Sequence, residues 1–195
     1  MYSTRAAGSD GASHARHSVE LRDGKLRLVV VADTHGRPHA GSSAHIADQK
    51  PDHIIHAGDI GELAVLDQLE RIAPVFAVRG NIDAPVRTIP DALTLDIVDE
   101  GRSVIRLLVV HIAVLGPKLR GDTARLARGE GASLVICGHS HVPFIGRDKG
   151  LGVFNPGSLG PRRFQLPIVF GVIEIDRERI NMRHVSCETG QIWEP

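Results

Sequence analysis

From Leu26 to Ala32 the chain is apolar at every position but Arg27, and it then stops at Asp33-Thr34-His35-Gly36. A valine-rich run of this length predicts a strand buried on both faces that delivers polar side chains at its carboxyl end. The pattern recurs. His53 to Ala57 ends in Gly58-Asp59, Pro74 to Val78 in Arg79-Gly80-Asn81, Ser103 to Val110 in His111, and Ser133 to Cys137 in Gly138-His139-Ser140-His141. Glu62 to Ile72 places Val65, Leu66, Leu69 and Ile72 on one helical face. Pro38 to Gln49 predicts a short helix stopped by Lys50-Pro51-Asp52, and Asp122 to Arg128 a helix stopped by Gly129 and Gly131. Ala92 to Val98 and Ser103 to Val110 form a hairpin across Asp99-Glu100-Gly101, and short strands follow at Phe144–Arg147, Gly152–Phe154, Ile168–Ile175 and Arg179–Ser186. These elements predict an α/β fold of two packed sheets flanked by helices.

The first 23 residues lack any apolar period and read as a flexible tail, which leaves residues 24–195 as a single domain. Basic and acidic residues number 23 each, so the chain carries no footprint for duplex nucleic acid. No apolar run reaches membrane-spanning length, and the amino terminus has no signal-peptide core. Cys137 and Cys187 lie far apart with no Cys-x-x-Cys spacing, which fits a reducing, cytoplasmic setting. Homo-oligomerisation is left open. Histidine is the unusual component: eleven residues, against 4% Phe, Trp and Tyr together. That composition points to metal chemistry.

Five strand ends carry Asp33 with His35, Asp59, Asn81, His111, and His139 with His141. Taken alone, Asp33-x-His35 reads as a turn cap beside a surface histidine; together the seven residues make a ligand set for two divalent ions. One carboxylate must bridge such ions, and Asp59 is placed to do so, with Gly58 leaving room for a close backbone approach. On an extended chain Asp33 and His35 point the same way, as do His139 and His141 on either side of Ser140. Two dications bring four positive charges; Asp33, Asp59 and a bridging hydroxide remove three, and one phosphodiester anion matches the remainder. A Ser-His-Asp triad explains the residues less well, because no serine sits in a Gly-x-Ser-x-Gly turn.

The ordered series Asp33-x-His35, Gly58-Asp59, Gly80-Asn81, His111, Gly138-His-Ser-His141 and Asn155-Pro-Gly-Ser158 resembles the calcineurin-like metallophosphoesterases, and among them the small YfcE-like phosphodiesterases. The resemblance implies a four-layer αββα sandwich. It implies that Asp33, His35, Asp59 and His141 hold one metal, that Asp59, Asn81, His111 and His139 hold the other, and that Asp59, Asn81 and His111 are catalytic. Two divalent ions, manganese first and iron, zinc or nickel as alternatives, would present a metal-bound hydroxide to a small phosphodiester substrate. Asn155, Ser158 and Arg162 are the candidate substrate contacts, with Arg163 beside them.

Two departures alter that expectation. Ile82 follows Asn81 where many relatives carry a general-acid histidine, which favours diesters with good leaving groups. Ile112 follows His111 where the group has glycine, so the second metal site is expected to be the weaker. The competing readings are a phosphomonoesterase and a non-catalytic protein-binding scaffold, as in the retromer subunit of the superfamily. His53 and His56 read as structural, and His14, His17 and His184 as solvent residues.

Overall fold

A computed structural model describes residues 13–177 and 179–194. In chain order the elements are β1 (His14–Glu20), β2 (Lys25–Val31), α1 (Ser42–Asp48), β3 (His53–His56), α2 (Ala64–Glu70), β4 (Val75–Ala77), β5 (Ala92–Asp99), β6 (Arg102–Val110), β7 (Val114–Leu115), β8 (Lys118–Leu119), α3 (Gly121–Gly129), β9 (Leu134–Ile136), β10 (Phe144–Asp148), β11 (Leu151–Asn155), β12 (Val169–Asp176), β13 (Arg179–Ser186) and β14 (Ile192–Trp193). They form two six-stranded mixed sheets, ordered β1-β5-β6-β9-β11-β10 and β14-β13-β12-β2-β3-β4, with β7 and β8 as a small separate hairpin.

The alternation within β2 explains the layering. Leu28, Val30 and Ala32 face the other sheet, where they pack with Leu95, Leu107, Val109 and Ile136. Val29 and Val31 point the opposite way, toward Ile46 of α1 and Val65 and Leu69 of α2. Beyond the second sheet, Leu108 and Val135 meet Ala124 and Ala127 of α3. The result is the αββα order, and it accounts for a strand apolar on both faces. β2, β3 and β4 run parallel, as do β6 and β9 in the facing sheet. Their carboxyl ends therefore open at one end of the sandwich, where loops are free to carry chemistry.

The tail expected over residues 1–23 is corrected in its second half, residues 1–12 lying outside the described part. His14 to Glu20 is a strand, paired in parallel with Ala92 to Val98. Ala15, Val19 and Leu21 join the core between the sheets, and the His17 ring meets Phe76 at a tilt with centroids 5.4 Å apart. Arg16 is fixed by two bonds to Glu130, at 2.8 and 2.6 Å. A histidine standing where the alternation asks for an apolar residue hid this strand. The folded unit starts by residue 14 rather than residue 24.

His184 is likewise not a solvent residue. It is buried, stacked on Phe154 at 5.3 Å, and its Nε2–H donates to the Asn155 carbonyl at 2.8 Å. Burial lowers its pKa. An unfolded chain then binds a proton that the native imidazole refuses, so stability is present above about pH 6.5 and declines as pH falls through that value. Melting temperature is expected to drop between pH 7 and 5, and to drop less steeply in His184→Phe. Equal slopes in the two proteins would exclude this contribution.

Candidate metal centre

At the open end of the sandwich two groups of donor atoms stand side by side. Asp33, His35 and His141 form one and Asp59, His111 and His139 the other, with the atoms of each group within 4.8 Å of one another. Asn81 joins the second group, its Oδ1 3.2 Å from His111 Nε2. All seven residues named from the sequence are brought together, in the division the resemblance implied.

The route to that division differs from the extended-chain expectation. Asp33, His35, Asp59, His139 and His141 all have left-handed backbones, with φ of 55, 47, 54, 68 and 59°. Such conformations are uncommon outside glycine and cost about 1–3 kcal/mol each, and they gather where function requires them. Because of them His139 and His141 do not share a side. His139 turns to Asp59 and His111, whereas His141 turns to Asp33, with its Nε2 3.3 Å from Oδ1.

Asp59 stands between the groups. Its Oδ1 is 3.1 Å from His111 Nε2 and its Oδ2 is 3.9 Å from His35 Nε2, one oxygen facing each side. Gly80 leaves room for it: a Cβ there would lie 2.1 Å from Asp59 Oδ1. Gly58 also makes room, though not for the backbone approach expected. A Cβ at Gly58 would fall 2.6 Å from His111 Nδ1, so the space belongs to the imidazole. That ring donates Nδ1–H to the Ala57 carbonyl at 2.8 Å, which leaves the Nε2 lone pair for the site.

The donor chemistry fits divalent cations. His111 Nε2 faces the oxygens of Asp59 and Asn81, and His35 Nε2 faces His141 Nε2 at 3.2 Å beside Asp33. Lone pairs that converge in this way repel one another unless a proton or a cation lies between them. Burial pushes the Asp33 carboxyl up to about 7, against the opposing charge of His111. Burial would also raise Asp59, but the hydrogen bond and charge of His111 hold it at about 2. Burial, with Arg163 next, lowers His141 to about 4, which favours the neutral ligand form. Nitrogen and oxygen donors without thiolate suit manganese, iron, zinc or nickel. His111 reaches Asp59 and Asn81 although Ile112 follows it, and Ile112 has no left-handed backbone that a β-branched residue would resist.

The three candidate substrate contacts are placed otherwise. Asn155 is buried: its amide donates to the Gly138 carbonyl at 2.8 Å and to Ser140 Oγ at 3.1 Å, which fixes the loop bearing His139 and His141. Ser158 Oγ donates to the Asp33 carbonyl at 3.0 Å. Arg162 pairs with Glu188 at 2.6 Å. Each is satisfied by the protein itself; Asn155 and Ser158 brace the site from behind, whereas Arg162 is taken up by Glu188 and the Leu166 carbonyl. Two other residues stand closer: Arg163, read from the sequence beside Arg162 as a phosphate contact, and Asp83, which had no sequence-based role. Arg163 Nη2 donates to His35 Nε2 at 3.3 Å. Asp83 accepts from the backbone N–H groups of Ile60, Gly61 and Gly80, at 3.1, 2.9 and 2.8 Å. His56, read as structural, is so: its Nε2–H reaches Thr34 Oγ1 at 2.9 Å, and burial lowers its pKa to about 3.

The chain belongs to the calcineurin-like phosphoesterase superfamily, whose domain matches residues 26–178. A probable metallophosphoesterase of Methanocaldococcus jannaschii is 32% identical over 161 residues, 79% of each chain. Among solved structures, the YfcE phosphoesterase of E. coli superposes with a TM-score of 0.56 at 19% identity, over 87% of this chain and 97% of that one. A novel archaeal phosphodiesterase gives 0.62 at 19% identity, over 82% and 100%. Vacuolar protein sorting 29 of Cryptosporidium parvum gives 0.71 at 13% identity, over 87% and 95%. These structural likenesses concern the fold.

Proposed function

We propose that this protein hydrolyses small phosphodiesters with two divalent cations, manganese first among them. The observation that carries the reading is Asp59, whose two oxygens face the two donor groups separately. Asp33, His35 and His141 would hold one cation, Asn81, His111 and His139 the other, with Asp59 shared. When bound, the cations supply Lewis-acid charge neutralisation and lower the pKa of water to the point where it attacks phosphorus at neutral pH.

The residues themselves do the positioning. The Ala57 carbonyl sets the His111 ring, Asn155 and the His139 backbone N–H hold the histidine loop against Asp33, and Asp83 ties the Asp59 and Asn81 loops together. Ile82 offers no proton to a leaving group and is half exposed, 49%. Esters of acidic alcohols, such as aryl diesters, need none. A protein used only for docking gains nothing from five left-handed ligand residues, which speaks for catalysis over the scaffold reading. No helix among the described residues is long and apolar enough to cross a membrane. Free, buried thiols at Cys137 and Cys187 support a cytoplasmic setting.

The test is hydrolysis of an aryl phosphodiester and the matching monoester by protein loaded with manganese. Faster turnover of the diester is expected; turnover of the monoester alone would replace this reading with the phosphomonoesterase one. A metal titration is expected to show two unequal steps. His139 is exposed whereas Asp33 and His141 are buried, so water competes more effectively for the second group. Two equally tight steps would show that exposure of His139 does not matter.

A further inference from the structure

The loop after Ser158 carries two adjacent arginines in opposite circumstances. Arg162 is committed within the protein, to Glu188 at 2.6 Å and to the Leu166 carbonyl at 3.0 Å. Arg163 has no carboxylate partner among the described residues, and its one side-chain hydrogen bond there is the contact with His35 Nε2 at 3.3 Å. Its charge acts on Asp33, His35, His139 and His141, members of both donor groups. The guanidinium therefore stands at the mouth of the whole centre.

A guanidinium cannot shed its charge, and it carries five N–H donors. Beside two dications it is repelled, because Asp33 and Asp59 cancel only half of the charge those ions bring. Nor can His35 Nε2 serve both Arg163 and a cation with one lone pair. An anion that joins the cations to the guanidinium resolves both conflicts. We propose that Arg163 binds a non-bridging oxygen of the scissile phosphate, opposite the oxygens facing the cations. The proposal rests on the phosphodiesterase reading for its substrate class. As attack proceeds, negative charge gathers on those oxygens, so a guanidinium bound there strengthens its hold in the transition state and acts on kcat.

The test titrates inorganic phosphate into the manganese-loaded full chain by calorimetry, and follows aryl-diester turnover in parallel. Arg163→Ala is expected to bind phosphate about 10–100-fold more weakly. Its kcat is expected to fall about 100-fold, with metal stoichiometry and melting temperature unchanged. Arg163→Lys restores the charge without the planar fork and recovers part of the phosphate affinity. Arg162→Ala leaves phosphate affinity at the parental value. Equal phosphate affinity in Arg163→Ala and the parent overturns the proposal, as does no phosphate binding by the parent. Loss of a cation from Arg163→Ala overturns it too, by making Arg163 a support for the ligands. Arg163-dependent phosphate binding without diester turnover would instead refute the phosphodiesterase reading and leave the anion site standing.

Discussion

Asp59→Asn is expected to purify with at most one cation per chain and to hydrolyse phosphodiesters about a thousandfold more slowly than the parent. The amide matches the carboxylate in size, so the packing against Gly80 survives the change, and the Ile82 N–H, 3.2 Å from Oδ1, keeps its acceptor when the amide oxygen takes that position. What is lost is the second acceptor. Whichever way the amide lies, its NH2 faces either His111 or His35, where a positive ion would have to sit. The remaining oxygen is neutral, and the centre also loses the negative charge that balances two dications. Metal analysis after gel filtration, with circular dichroism to establish the fold, measures the effect directly. Two cations per chain together with activity within tenfold of the parent would remove Asp59 from the bridging position.

That residue was legible in the sequence because each candidate ligand group closes an apolar run, and an apolar run that ends in Asp, Asn or His announces a strand with polar groups beyond it. The division of the ligands between the two groups was not legible by parity. Extended-chain geometry put His139 and His141 on one side; the left-handed backbone at both residues separates them. Aspartate and histidine enter that conformation without a marker such as glycine to declare it. The structure groups the two histidines as the resemblance to metallophosphoesterases implied, where local geometry implied another grouping.

Side chains in irregular loops were the other weak point. Arg162 and Arg163 are equivalent to any pattern, and only the position of Glu188, far along the chain, decides which of them is taken up by the protein. Asn155 and Ser158 read as a tight turn from the residues alone, and only the family resemblance made them candidate substrate contacts. Their partners are backbone carbonyls of Gly138 and Asp33, which no sequence pattern displays. β1 was missed for a related reason. Its inward positions include His17, and the strand exists because β5 has an edge to cover.

Asp83→Ala is expected to lower stability by about 2–4 kcal/mol, which for a chain of this size shifts the melting temperature down by roughly 4–16 °C. The carboxylate accepts from Gly80 N at 2.8 Å, Gly61 N at 2.9 Å and Ile60 N at 3.1 Å. Ile60 and Gly80 are buried, so water cannot replace the lost acceptor at either N–H without opening the loops. The three donors belong to two loops, one leaving Asp59 and one leading into Asn81. Cutting the tie therefore loosens Asp59 and Asn81 at once, and metal affinity is expected to fall with stability. Asp83→Asn separates the effects. Its amide oxygen still accepts at one end, whereas its NH2 confronts an N–H at the other, so a smaller fall in melting temperature is expected with a persistent loss of metal affinity. Parental metal affinity in both variants would mean that the Asp59 and Asn81 loops hold their geometry without Asp83, and that its carboxylate serves the fold alone.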